Sequence, residues 1–164
     1  MLEEGLGGRT TVFSDPLHES MDAVSVAYPI LMSHEPVDLL IIMLGTNDTK
    51  ERFCANAPAI AVGMERLLKK CKDTECWGSG GPNILVVCPP PLGDGFHDEV
   101  MGNGCVEKSK ALPPYLKAVA ERNGVHFFDA CACTFNPVDF THLTKESHAR
   151  LASMLSELVP RLLG

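Results

Sequence analysis

No stretch of this sequence stays apolar for the roughly 20 residues of a membrane span, so no span is expected. Basic clusters are equally scarce. The net charge is −7, and the densest cationic group is Lys69, Lys70 and Lys72. It sits at the end of an amphipathic stretch, where a solvated helix face accounts for it, so nucleic acid is not an expected partner. Residues Met1 to Gly5 have neither the positive start nor the apolar core of a signal peptide, and a cytoplasmic location is expected. The seven cysteines cannot all pair with one another. Neither Cys71 and Cys76 nor Cys131 and Cys133 has a matching Cys/His pair at zinc-site spacing, so free thiols are expected and no metal.

What remains is a chain of 164 residues, 45% apolar and 21% charged, which fits one globular domain spanning residues 1–164. That length can bury a core without disulfides. Val37 to Leu44 is nearly all apolar and stops at Gly45, the pattern of a strand buried on both faces of a parallel sheet. Ile84 to Cys88 repeats it and is stopped by three prolines, and Val125 to Phe128 is a third short strand. Helical periodicity fills the intervals. Ile60, Met64, Leu67, Leu68 and Cys71 share a face after Pro58 in a first turn. Leu112, Leu116, Val119 and Ala120 share another, followed by Gly124 as the C′ residue. Leu151, Leu155, Leu158, Val159 and Leu162 form the last stripe, with Thr144 as N-cap. A weaker helix covers about residues 22–34. This alternation predicts a flavodoxin-like three-layer α/β sandwich with a parallel sheet. Function in such folds gathers in loops beyond the carboxyl ends of the strands, here Gly45–Thr49, Pro89–Cys105 and Asp129–Leu143.

Each of those regions offers chemistry and a plainer alternative. Asn47, in Gly45-Thr46-Asn47-Asp48, can aim its side-chain NH₂ at a developing oxyanion, or the tetrapeptide can simply be a turn. In Asp139-Phe140-Thr141-His142, a carboxylate can orient an imidazole that accepts a proton, or the two can be a surface acid and a helix-flanking histidine. His18, His34, His97, His126 and His148 have no such context. The glycine-rich Glu3-Glu4-Gly5-Leu6-Gly7-Gly8-Arg9 segment allows close backbone approach to a ligand. It lacks the phosphate-loop pattern and no helix plainly follows it.

In succession, E-E-G-L-G-G-R-T-T, D-L-L-I-I-M-L-G-T-N-D, I-L-V-V-C-P-P-P-L, H-F-F-D-A and D-F-T-H-L-T resemble the blocks of SGNH (GDSL-type) hydrolases. The arylesterase and acyltransferase branch is the most similar, and the likeness runs from Glu3 to about Leu158. The resemblance implies a carboxylic ester hydrolase acting on small acyl esters through a serine acyl-enzyme, with acyl transfer to other acceptors in some members. No metal and no cofactor are implied. The resemblance casts Gly8 and Asn47 as oxyanion-hole donors, His142 as general base and acid, and Asp139 as its orienting partner. Pro89 to Leu92 and the loop after them would shape the substrate entrance.

The family's first strand ends in a Gly-Asp-Ser block whose serine is the nucleophile, and that tripeptide does not occur here. The expectation is therefore an N-terminally incomplete domain without the family's first strand. Ser79 lies in a helix-to-strand linker, and Ser14 and Ser20 lack the strand-to-turn context of an exposed nucleophile. A second copy, an exchanged strand or a rearrangement would be needed to cover the gap. The rival expectations are a non-catalytic remnant that binds a small ligand and an unrelated flavodoxin-like binding domain.

Overall fold

One strand with water excluded from both faces organises the structure, a computed structural model that describes residues 1–164. The elements run α1 (Ala23–Ser33), β1 (Leu40–Ile42), α2 (Ala57–Lys72), β2 (Ile84–Cys88), α3 (Cys105–Arg122), β3 (His126–Asp129) and α4 (Lys145–Leu163). Two short 3₁₀ turns, Asn47–Thr49 and Glu51–Phe53, lie between β1 and α2. β2 is the middle strand of a parallel sheet of order β1-β2-β3, and all five of its residues are buried. Leu40 to Ile42 pair with Ile84 to Val86, and Leu85 to Cys88 pair with His126 to Asp129. The apolar, β-branched composition of β2 suits a strand flanked by two ladders and covered on both sides.

The expected three layers form. Ile42, Ile84, Val86 and Cys88 face α1, α2 and α3 in the larger core, and Leu85 and Val87 face α4 in the smaller one. Local chemistry sets the helix starts. The side chains of Asp22, Asn56 and Thr144 accept hydrogen bonds from the N–H groups of Ser25, Ala59 and Ser147. Each such cap contributes about 1 kcal/mol. α3 ends before Gly124, whose φ of +63° is the left-handed C′ conformation that glycine adopts without penalty. No helix is long and apolar enough to cross a membrane. All seven cysteines are free, and burial pushes the thiols of Cys71 and Cys88 up to about 12.

Two boundaries differ from the sequence reading. The first strand spans only Leu40–Ile42, not residues 37–44; at its start this is because β2 begins at Ile84, opposite Leu40. β2 pairs with those three residues alone, and Val37 makes an isolated bridge to Trp77. The third strand begins at His126, since the Val125 N–H turns back to the Ala120 carbonyl of α3 (3.0 Å).

The loop after β1 is tied to the N-terminal segment by a buried carboxylate. Asp48 is fully buried, and its Oδ1 accepts from the Thr11 N–H (2.9 Å) and the Thr11 hydroxyl (2.5 Å). Its Oδ2 is buried with no partner. Burial outweighs the Thr11 bonds and the nearby Lys50 charge and raises the Asp48 carboxyl from 3.8 to about 6. The fold therefore holds this proton more tightly than the unfolded chain does. The resulting stability is complete below about pH 4 and is lost as pH rises through about 6, a difference of about 3 kcal/mol. Asp48→Asn keeps the Oδ1 acceptor and cannot titrate. Urea unfolding between pH 4 and 7 should show wild type losing about 3 kcal/mol relative to this variant. Parallel stability curves would remove Asp48 as the cause.

Candidate functional site

Parallel strands deliver their carboxyl ends to one edge of the sheet, and three connected loops follow there. After β1 the chain passes through Gly45, whose φ is +129°. A Cβ on Gly45 would sit 3.4 Å from Leu112 Cδ1 and 3.8 Å from Pro89 Cγ, so this loop rests on the segment leaving β2. Two residues on, the Asn47 Nδ2 donates to the Arg9 carbonyl (3.2 Å). That bond uses one of its two protons and leaves the other for a ligand. It also brings Asn47 beside Gly8. Gly8 has φ +91°, and a Cβ there would meet Met21 Cε at 2.7 Å, so both conformation and space demand glycine. No acceptor in the protein takes the Gly8 N–H.

The second half of the site follows β3. His142 Nδ1 lies 3.0 Å from Asp139 Oδ2. The other carboxylate oxygen, Oδ1, accepts from the N–H groups of Thr141 and His142 (2.9 Å each) and from Asn136 Nδ2 (3.1 Å). The Thr141 and His142 amides hold the Asp139 carboxyl well below the usual carboxylate range, with smaller help from the His142 ring and Asn136. Asp139 is thus an ionised acceptor with one oxygen committed to the backbone and the other to the imidazole. His142 is four-fifths exposed, and its Nε2 has no partner in the protein.

The residues expected from the sequence therefore form two pairs, Gly8 with Asn47 and Asp139 with His142. The segment after β2 joins them: Pro89 meets the Gly45 loop, and the Gly93 N–H donates to the Phe140 carbonyl (3.0 Å). A polar hollow of about 320 Å³ opens farther along this segment, lined by Asp94, Phe96, His97, Asn103 and Cys105. None of the four site residues lines it. No three His, Cys, Asp or Glu side chains are grouped to hold a metal ion.

Three participants escaped the sequence reading. Asn136 accepts from the N–H groups of Val138 and Asp139 through Oδ1, and donates to Asp139 and to the His142 carbonyl through Nδ2. The Asn136-Pro137 pair was its turn signal. Asp48 gave none beyond its place in the Gly-Thr-Asn-Asp block, and Phe140 gave none because its conformation is unusual for its residue type. The rejected serines stay apart from the site. Ser14 and Ser20 are exposed, and Ser79 sits in the exposed turn before β2, at the amino edge of the sheet.

The profile of the GDSL-like Lipase/Acylhydrolase family matches residues 2–154. The native M. smegmatis aryl esterase is 36% identical, with a TM-score of 0.89 over 98% of this chain and 78% of that one. Est24, a carbohydrate acetylesterase from Sinorhizobium meliloti, is 38% identical, with a TM-score of 0.88 and the same two coverages. No curated protein matches the chain significantly. Those solved structures are esterases, and the profile covers most of this sequence, so the chain belongs to the GDSL-like lipase/acylhydrolase family and is by family an ester hydrolase.

Proposed function

We propose that Gly8, Asn47, Asp139 and His142 are the catalytic apparatus of a carboxylic ester hydrolase whose nucleophilic serine enters on a segment paired beside β1. The observation that carries this reading is the Asp139–His142 pair at 3.0 Å, held by Asn136 at the sheet edge that also carries Gly8 and Asn47. With Nδ1–H donating to Asp139, Nε2 is the free base, and the ionised carboxylate stabilises the imidazolium that forms. The serine hydroxyl gives its proton to Nε2 as its oxygen attacks the ester carbonyl. The Gly8 N–H and the second Asn47 Nδ2 proton stabilise the oxyanion. The imidazolium then protonates the departing alcohol, and water, activated by the same Nε2, releases the acid and regenerates the serine. Another alcohol in place of that water gives acyl transfer by the same steps. A small acyl ester is the substrate class.

β1 is an edge strand, and Ile41 is exposed on its α4-facing side. These features support a parallel strand beside β1, ending in Gly-Asp-Ser at the carboxyl edge. Its source would be a longer form of the chain, an exchanged copy or a separate segment.

A serine-directed fluorophosphonate should leave the intact mass of the 164-residue chain unchanged. Fusing a strand that ends in Gly-Asp-Ser ahead of Met1 should restore stoichiometric labelling and turnover of p-nitrophenyl acetate. In that fusion, Asn47→Ala should lower kcat by about 10²–10³-fold, the loss typical of one oxyanion donor. Labelling of Ser79 or Ser14 in the bare chain would reassign the nucleophile. A folded fusion that neither labels nor turns over ester would leave the fold as a ligand-binding remnant.

A further inference from the structure

The loop that carries Asp139 and His142 contains an inverted arrangement of glycine and side chain. Phe140 has φ +58°, in the left-handed region where a β-carbon is disfavoured. Opposite it, neither Gly93 nor Gly95 has positive φ, so the left-handed region is not what calls for glycine there. Space, not torsion, demands glycine at those two positions. A Cβ on Gly93 would meet Phe140 Cδ1 at 2.8 Å and Phe140 Cβ at 3.1 Å. On Gly95 it would meet three atoms of the ring, Cζ, Cε2 and Cε1, at 2.5, 2.7 and 2.8 Å. The ring lies directly on bare backbone.

Hydrogen bonding at the same place removes freedom from both partners. The Gly93 N–H donates to the Phe140 carbonyl, and the Phe140 N–H donates to the Asn136 carbonyl (3.0 Å each). The remaining hydrogen bonds of residues 135–143 stay within that loop: Asn136 N–H to His142, and the Asn136 and Asp139 side chains to neighbouring amides. The Gly93 bond is thus the one hydrogen bond linking the loop tip to another part of the protein. The His142 side chain is four-fifths exposed, and the one hydrogen bond of its ring is to Asp139, so little packing of its own fixes the ring.

We infer that Phe140 is a positioning residue for the Asp139–His142 pair, its ring seated on Gly93 and Gly95 and its carbonyl held by the Gly93 amide. The conformation at residue 140 persists because the surrounding contacts over-determine it. Releasing the ring frees the loop tip from the segment after β2, and the imidazole then loses its fixed direction toward Asp139. The structural part of this inference stands by itself; its consequence for ester turnover rests on the function proposed above.

The test is a cycle of Gly95→Ala, Phe140→Gly and the double variant in the 164-residue chain, read by thermal unfolding and by ¹⁵N NMR of the His142 ring. Gly95→Ala should lower Tm by roughly 4–8 °C in the wild-type background, the overpacking of a filled site, and leave it nearly unchanged in the Phe140→Gly background. At alkaline pH, the ring nitrogens of wild-type His142 should show the Nδ1–H tautomer fixed by Asp139. Phe140→Gly should shift that signal to a mixture of tautomers, with assignment by its loss in His142→Gln. If Gly95→Ala does not fold while the double variant does, the coupling is supported at its strongest. If neither folds, the His142 spectrum of Phe140→Gly decides. Additive Tm changes, or an unchanged tautomer in Phe140→Gly, overturn the inference. The readouts need no serine, so failure of the esterase reading would leave a positive result here intact.

Discussion

The burial of β2 between two parallel ladders is the constraint from which the remainder follows. A strand with all five residues buried must satisfy both its hydrogen-bonding edges and both its faces inside the protein. Parallel neighbours are the solution available to a chain that alternates strand and helix. Parallel pairing then sends every strand end to one side. The Gly45, Pro89 and Asp129 loops consequently leave the sheet together. Asn47 and the Asp139–His142 pair reach one edge because each follows a strand that β2 holds in register, and Gly8 is drawn to that edge by the Asn47–Arg9 bond.

Two carboxylates at this edge illustrate how environment assigns opposite electrostatic characters to one residue type. Asp139 is open to solvent but saturated with N–H donors, and the charge on it is stabilised by those dipoles. Asp48 is sealed from solvent with one oxygen unpartnered, and its neutral form is favoured up to about pH 6. The first suits a group that must remain anionic beside an imidazole. The second suits a tether, joining the Thr11 backbone to the Asn47 turn by bonds that survive protonation of the opposite oxygen. Asn47 and Gly8 owe their proximity to that tether and to the Asn47–Arg9 bond.

The fold was legible where local and non-local forces agree. Thr144 and Gly124 marked helix ends because a cap needs only its own turn. The run Ile84–Cys88 marked a strand buried on both faces because a short, β-branched apolar run stopped by prolines suits a parallel sheet covered on both sides. The first strand was overextended at its start because β2 begins only at Ile84, opposite Leu40, a property of the partner that an apolar run does not reveal. Within the site, the contact between Asp139 and His142 was anticipated by the family resemblance, whereas their spacing alone left a surface acid and a helix-flanking histidine open. Asn136 was obscured because an Asx side chain in a turn reads as turn chemistry. Phe140 was illegible for a stronger reason. Residue type argues against a left-handed conformation, and the compensating contacts come from two glycines some 45 positions earlier in the chain.

The distribution of exposure bears on how the proposed serine would arrive. Alternation along β1 sends Leu40 and Ile42 to the large core, while Leu39, Ile41 and Met43 point to the α4 side. Among the apolar residues of α4 on that side only Leu151 is buried, whereas Met154, Leu155, Leu158 and Leu162 are partly covered and Ile41 is exposed. The thinly covered face and the open edge of the sheet therefore meet at one strand. An added strand beside β1 would satisfy the edge. If its continuation packed beside α4, it would cover the face, so hydrophobic burial and backbone pairing would act on one segment together. A parallel strand entering there has no choice of direction: its carboxyl end must emerge beside Gly45 and Asn47. Backbone pairing would thus set the side on which a serine at that strand end appears, facing the donors, without any side-chain contact having to select it.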